Sequence, residues 1–406
     1  MEATVLSAAD EDFRGRVAQW LADNLTGRFA ALRDRGGPGR EHEAHDERVA
    51  WNRHLAAAGW TCLSWPAEHG GRGASLTQQM VFHEEYARAG GPARVGYVGE
   101  ELVGPTLIAF GTPEQQRRFL PPIAAVTELW CQGYSEPGAG SDLASLATTA
   151  TRDGDEWVVT GQKVWTSLAH VADWGFVLAR SEPGSRRKAG LTYLLVPMRQ
   201  PGVTVRPIRQ LTGTSEFNEV FFDGARTHVS NVLGEVGDGW RVAMATLAIE
   251  RGAATLGQQA VFRREFDSLL AEARRTGAAG DPLLRDRLAR AWIGLEVMRA
   301  HALRTMAAGS PDGPGSAGAV GDGRRDTTAA AVMKLLWSRW HQQLGELAMA
   351  VLGPESLVAR GTPYDLDDWQ RLYLFGRAET IYGGSSEIQR GIIADRALGL
   401  PRLGGS

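Results

Sequence analysis

Two cysteines, Cys62 and Cys131, are all that this chain of 406 residues contains. That is too few for a disulfide framework, so a reducing compartment, the cytoplasm, is the expectation. Neither sign of charge is in excess. The formal net charge is −3, which gives no basic surface for nucleic acid or an anionic membrane. No apolar run reaches the roughly 18 residues a membrane span needs. The start, MEATVLSAADEDFRGR, lacks the basic region and apolar core of a signal peptide. Metal spacing is scarce: His42 and His45 sit in the polar run EHEAHDER, which reads as a solvated helix face, and no metal site is expected. Gly138-Ala139-Gly140 has no third glycine and no βαβ pattern around it, which argues against a dinucleotide fingerprint. Gly133-Tyr134-Ser135 lacks the closing glycine of a nucleophile elbow.

What is present falls into three segments. Residues 1–125 carry apolar residues at helical spacing in DEDFRGRVAQWLADNL, DERVAWNRHLAAAGW, SLTQQMVFHEEYARAG and EQQRRFLPPI, separated by Gly and Pro clusters. Residues 126–235 change to short β-branched and aromatic runs: EWVVTGQKVW, DWGFVLARS, LTYLLVPM, VTVRPI and EVFFD. The helical period returns over residues 236–406 in two long candidates, a third over TTAAAVMKLLWSRWHQQLGELAMAVL, and a last helix starting near Ser386. The Gly/Pro/Ser-rich stretch 310–326 reads as a surface loop. The fold class is therefore α+β: an N-terminal helical domain, a central β-barrel-like domain and a C-terminal four-helix bundle.

Two pieces of the central segment carry chemistry. The first, Gln132-Gly133-Tyr134-Ser135-Glu136-Pro137-Gly138-Ala139-Gly140-Ser141-Asp142, is too broken for a helix and offers backbone N–H groups and short hydroxyls to a polar ligand. The second, Gly161-Gln162-Lys163-Val164-Trp165-Thr166-Ser167, sets an aromatic beside two hydroxyls at the end of a strand. That suits a flat heteroaromatic ring needing a stacking wall and an edge hydrogen bond. Together they resemble the flavin-facing signature of the acyl-CoA dehydrogenase family. Gly111-Thr112-Pro113-Glu114-Gln115, Leu233-Gly234-Glu235-Val236-Gly237-Asp238-Gly239-Trp240 and Ile381-Tyr382-Gly383-Gly384-Ser385-Ser386-Glu387-Ile388-Gln389-Arg390 resemble the family's other marks, in order. The resemblance covers essentially the whole chain. It implies FAD, an acyl-CoA substrate oxidised to its 2,3-enoyl form, and electrons passed to an electron-transferring flavoprotein. A thioester on acyl carrier protein, a flavin monooxygenase on the same fold, and a partner subunit of a mixed tetramer that contributes an interface but little chemistry are the alternatives it leaves.

Removing the α-proton of a thioester requires a positioned carboxylate. Many family members carry it directly after the Tyr of the loop before the last helix, where this chain has Gly383. A second group, typified by isovaleryl-CoA dehydrogenase, carries Glu-Arg on the first long C-terminal helix, and Glu250-Arg251 stands at that place. Between Val242 and Phe262 these two are the only acid and the only base. In a mostly apolar helix such charges are paired or used. The residues alone leave a structural ion pair and a general base both open; the resemblance implies Glu250 as the base, beside Arg251 at the substrate.

By the same resemblance Gln132, Tyr134, Ser135, Trp165 and Ser167 line the flavin, and Ser385 and Glu387 stand on its adenylate side. Ser141 touches the pantetheine arm, and the Gly383 N–H donates to the thioester carbonyl. Ser386-Glu387-Ile388-Gln389 also reads as a helix capping box, and His170 as structural or cleft-facing. Where relatives carry Arg-x-x-Phe-Gly and Gln-x-x-Gly-Gly, which reach the neighbouring subunit's FAD, this chain has Arg274-Arg275-Thr276-Gly277 and Ala350-Val351-Leu352-Gly353-Pro354. Bacterial relatives acting on steroid side chains share such losses and form mixed tetramers. Homodimer, homotetramer and a tetramer mixed with a paralogous subunit are thus all compatible with the sequence.

Overall fold

The computed structural model describes residues 6–309, 324–359 and 365–401; the side chains of residues 249–256, 305–309 and 324–327 also lie outside that description. Two compact units emerge. One comprises residues 1–79 and 89–250, the other residues 80–88 and 251–406.

The first unit opens with helices α1 (Ala8–Asn24), α2 (His45–Ala57) and the start of α3 (Leu76–Arg88). A π-helical turn, Val98–Val103, runs into α4 (Gly104–Phe110), which the sequence reading did not foresee. Its run VGEELVGP breaks the 3.6 period that marks an amphipathic helix. Helix α5 (Pro113–Ala124) has Thr112 as N-cap in a reciprocal box with Gln115. Gln115 Nε2 also reaches the carbonyls of Ser230 and Val232, each at 2.7 Å, so this family mark locks the helix start to the segment beyond the sheet.

Seven strands form one curled sheet among the described residues. They are β1 (Trp130–Gly133), β2 (Thr149–Asp153), β3 (Glu156–Ser167), β4 (Trp174–Arg180), β5 (Leu191–Pro197), β6 (Val203–Ile208) and β7 (Phe217–His228). β4 pairs with β5 on one side; on the other it takes β1 at one end and β2 at the other, both parallel. From β2 the ladder continues through β3 and β7 to β6. The barrel-like character lies in the curl: Thr227 on β7 donates its hydroxyl to the Leu195 carbonyl on β5 at 2.6 Å.

β4 and β5 are buried on both faces, which is why they read as continuous apolar runs. Phe176, Leu178, Tyr193 and Leu195 enter a core shared with the helices, with Trp65, Leu107, Phe119 and Val242. Val177, Ala179, Leu194 and Val196 enter a second core inside the curl, with Trp157, Val159, Val220 and Phe222. Two bulges shape the β3–β7 ladder. Gly224, φ +72°, is extra on β7, and one extra residue on β3 is absorbed at Val164–Trp165.

The second unit is helical. α6 (Gly239–Thr276) begins in the first unit and supplies Phe262, Phe266 and Leu269. α7 (Pro282–Gly309) adds Leu295 and Met298, and α8 (Arg324–Leu352) adds Trp337, Trp340 and Leu344. The fourth place of the bundle is divided between α9 (Asp368–Phe375) and α10 (Ser386–Ile392). The loop expected over 310–326 falls on residues outside the description up to 323; Arg324 is already helical.

Gly161 on β3 shows how tightly the sheet closes near the candidate site. Its φ is +153°, and a Cβ there would lie 2.7 Å from Thr148 Cα. Gly161→Ala is expected to cost about 1–3 kcal/mol, read as a lower urea midpoint at unchanged slope; an unchanged midpoint would refute the packing argument.

Candidate active site

Lys163 organises the candidate site residues of the first unit. It is fully buried, and its ammonium donates to the Tyr134 carbonyl at 3.1 Å, the Leu178 carbonyl at 2.8 Å and Glu136 Oε1 at 2.8 Å. All three donors are used. The Glu136 carboxylate accepts in addition from the backbone N–H groups of Ala147 at 2.6 Å and Thr148 at 2.9 Å. Burial alone would raise the Glu136 pKa, but the Lys163 charge and these hydrogen bonds outweigh it and hold the group below the usual carboxylate range. Burial pushes the Lys163 ammonium down to about 8 against the pull of Glu136. The pair ties the broken segment after β1 to β3 and β4, and neither residue was singled out in the sequence.

Around this pair the predicted flavin residues divide. Gln132 sits on β1; its Nε2 is buried and makes no hydrogen bond among the described residues, and the same holds for Thr166 Oγ1 on β3. Ser135 is half-buried and accepts from the Val164 N–H at 2.9 Å through its carbonyl. Trp165 is 58% exposed, with φ +61°, standing out at the bulge with Phe217 edge-on at 6.3 Å. Asn218, buried and unforeseen, holds the bulge by donating to the Thr166 carbonyl at 3.0 Å. Ser167 is half-buried and bonds the Tyr97 phenol, whose pKa burial pushes up.

Tyr134 is a correction. Its ring is 5% exposed and packs edge-on against Phe176 and Tyr193, so it is a core side chain and its segment can offer a flavin only backbone at that point. Ser141 is exposed in the following turn. Arg180 bolts that region to the β4–β5 hairpin, donating to the carbonyls of Ala144 at 3.2 Å and Arg187 at 3.1 Å. His170 is exposed, and Asn218 lies 3.2 Å from its Nδ1.

In the second unit the loop after α9 is pinned from α8. Lys334 donates to the Glu379 carbonyl and covers the rings of Trp337 at 4.2 Å and Tyr382 at 5.0 Å. His341 lies between Glu265 at 2.9 Å and Glu379 at 2.7 Å. Burial would lower the imidazole, but the two carboxylates prevail and raise it to about 10. Gln389 donates to the carbonyls of Gly383 at 3.0 Å and Gly384 at 3.3 Å. Gly383 has φ +63°, a conformation that favours glycine. The expected cap is shifted by one residue: Ser385, not Ser386, caps α10 by accepting from the Ile388 N–H, and Glu387 is exposed and faces Arg390 at 3.4 Å. Glu250 and Arg251 lie within α6, at the boundary of the two units, and their side chains are outside the description.

Three family models cover this chain in order: the acyl-CoA dehydrogenase N-terminal domain over residues 7–127, the middle domain over 131–225 and the C-terminal domain over 237–398. The chain belongs to the acyl-CoA dehydrogenase family. It is 64% identical over 392 residues to "Acyl-CoA dehydrogenase IpdE1" of Mycobacterium tuberculosis, covering 97% of this chain and 98% of that protein. Among solved structures, a "Tcur3481-Tcur3483 steroid ACAD" aligns with TM-score 0.83 at 29% identity, covering 99% of this chain and 100% of the other. The ChsE4-ChsE5 complex of Mycobacterium tuberculosis aligns with TM-score 0.80 at 30% identity, again over 99% and 100%.

This acyl-CoA dehydrogenase is thus an oxidoreductase acting on CH–CH bonds, with FAD as its cofactor. The residues fit that group. An exposed indole suits a flat ring, and the buried Gln132 amide and Thr166 hydroxyl are polar groups with bonding capacity still unused.

Removing one partner of the central pair should be costly. Lys163→Met leaves the Glu136 charge buried, for an expected loss of about 3–5 kcal/mol, seen as a fall in thermal midpoint. A midpoint within a degree of wild type would show that the pair is not structural. His341 gives a pH test. Its folded pKa is raised, so its contribution is complete below its ordinary value of 6.5 and fades as pH rises through about 10. Stability of the wild type should fall between pH 7 and 10 more steeply than that of His341→Gln; parallel curves would contradict this.

Proposed function

We propose that this dehydrogenase oxidises an acyl-CoA thioester to the 2,3-enoyl-CoA, with Glu250 as the base that takes the α-proton. The observation that carries the assignment is the state of the acids around the loop at 383. Gly383 has no side chain, Glu379 is 2% exposed and engaged with His341, and Glu387 is exposed and faces Arg390. None of them is a free carboxylate suited to the reaction, whereas α6 carries Glu250 in an otherwise apolar run.

FAD, when bound, accepts the hydride leaving Cβ. Trp165 would wall its ring, Ser167 and Ser135 would bond its edges, and Gln132 would line it. Tyr134 positions this segment from the core rather than contacting the ring. Ser385 and Glu387 belong to the adenylate side. Ser141 steadies the pantetheine arm, Arg251 stands at the substrate, and the Gly383 N–H polarises the thioester carbonyl as negative charge develops there. The electrons pass on to an electron-transferring flavoprotein. We take residues 1–125, 126–235 and 236–406 as the functional domains, and the cytoplasm as the compartment, in keeping with buried free thiols at Cys62 and Cys131.

The assembly we propose is a tetramer mixed with a paralogous subunit. Trp292, Ile293 and Val297 on α7 are 47–54% exposed. The departures at Arg274–Gly277 and Ala350–Pro354 favour the same reading, as do similar structures that are each named for two proteins. The first of these is called a steroid ACAD, which puts a steroid thioester first among substrates to try.

Purified yellow protein, with any chain that co-purifies, should be bleached anaerobically by at least one of butyryl-, isovaleryl-, palmitoyl-, phenylpropionyl- and a steroid side-chain-CoA. Glu250→Gln should retain the flavin spectrum and lose roughly 10²–10⁴-fold in bleaching rate; an undiminished rate would end the assignment. Protein that is colourless alone and yellow only with a partner would favour the mixed assembly.

A further inference from the structure

Helix α6 is fixed to the first unit by one buried hydroxyl, four residues before Glu250. Thr246 is fully buried; its Oγ1 lies 3.0 Å from Thr106 Oγ1 on α4 and 3.4 Å from the Tyr193 hydroxyl on β5. Thr106 in turn lies 2.7 Å from the Leu102 carbonyl in the π-helical turn. At the other end, the Tyr134 ring stands edge-on to Tyr193 at 6.1 Å.

Each hydroxyl has one proton to give. A single direction serves the series: Tyr193 donates to Thr246, Thr246 to Thr106, and Thr106 to the Leu102 carbonyl. The Val242 carbonyl, 3.0 Å from Thr246 Oγ1, offers only a local bond within α6. The series therefore runs from β5 to α6 and α4, and ends on the turn before α4.

We propose that Thr246 is a positioning residue for the dehydrogenation, setting the rotation and axial position of α6 one turn before Glu250. This rests on Glu250 being the base. Apolar packing by Val242 and Ala243 holds the helix against the sheet without choosing among small rotations, because packing is weakly directional. Two hydroxyl bonds from different elements remove that freedom. A reacting group displaced by about 1 Å can lose 10²-fold in rate, so a small loosening at Thr246 has a large effect one turn away.

The test compares Thr246→Val, Thr246→Ser, Tyr193→Phe and Glu250→Gln as flavin-loaded protein, each mixed anaerobically with the thioester that bleaches wild type fastest. Thr246→Val should keep the flavin spectrum and KM but bleach about ten- to hundredfold more slowly. Thr246→Ser should recover most of the rate, and Tyr193→Phe should fall between. Amide hydrogen exchange over residues 243–250 should rise in Thr246→Val with no change over α8. Should Thr246→Val not fold, Tyr193→Phe, which removes one hydroxyl only, decides by the same two measurements. Wild-type bleaching and exchange in these variants, with Glu250→Gln inactive, would overturn the positioning role and leave the base assignment standing. Wild-type bleaching by Glu250→Gln would remove the base assignment and this inference with it.

Discussion

A lysine with no exposure to solvent and three bonded acceptors governs the first unit. Lys163 draws the Tyr134 and Leu178 carbonyls and the Glu136 carboxylate to one point. Desolvating an ammonium costs several kcal/mol, offset only when every proton has a good acceptor. That requirement fixes three pieces of chain at once: the segment after β1, the middle of β3 and the middle of β4. Ser135 and Trp165 are carried by two of those pieces, so the surface proposed to face the flavin is backed by a buried charge.

The helical unit uses the same strategy with different groups. Lys334 and His341 bond Glu379, Glu265 holds the far nitrogen of the His341 ring, and Gln389 closes the loop from the other side. Charged and amide groups hold a glycine pair in shape, and it is the backbone of those glycines that chemistry would use. In each unit the side chains that hold these loops in shape are buried and polar.

Much of this was legible in the sequence. The turn from helical to alternating patterns marked the sheet, and β4, β5 and β6 fall within a residue of the apolar runs that predicted them. α4 with its preceding π-helical turn was missed because its buried face includes Glu100 and two glycines, which break the pattern. β1 and β2 were missed because one is four residues long and the other is mostly exposed. Trp165 and Gly383 were singled out from motifs, and the structure places one at the β3 bulge and the other in the loop before α10. Lys163 and Glu136 stood inside those same motifs, yet their pairing across 27 positions needs the fold to bring them together. Tyr134 looked like a ligand contact for the same reason: a motif records that a residue is needed, not which way it faces.

The extra residue at Val164–Trp165 has a consequence for how this strand can vary. Up to Lys163 the odd-numbered positions of β3 face the core; from Thr166 onward the even-numbered ones do. The strand changes parity there, so a single chain segment sends both Lys163 and Thr166 inward with Val164 and Trp165 between them and the indole turned out. Gly224 makes the opposite allowance on β7, where buried positions pass from even to odd. Deleting one residue at 164–165 would remove the bulge. The single residue left would lie opposite Glu219 and face outward, Lys163 and Thr166 would both keep their inward places, and the left-handed backbone at Trp165, φ +61°, would no longer be needed. The length of β3 at this point thus bears on how the indole is presented and not on the core positions to either side.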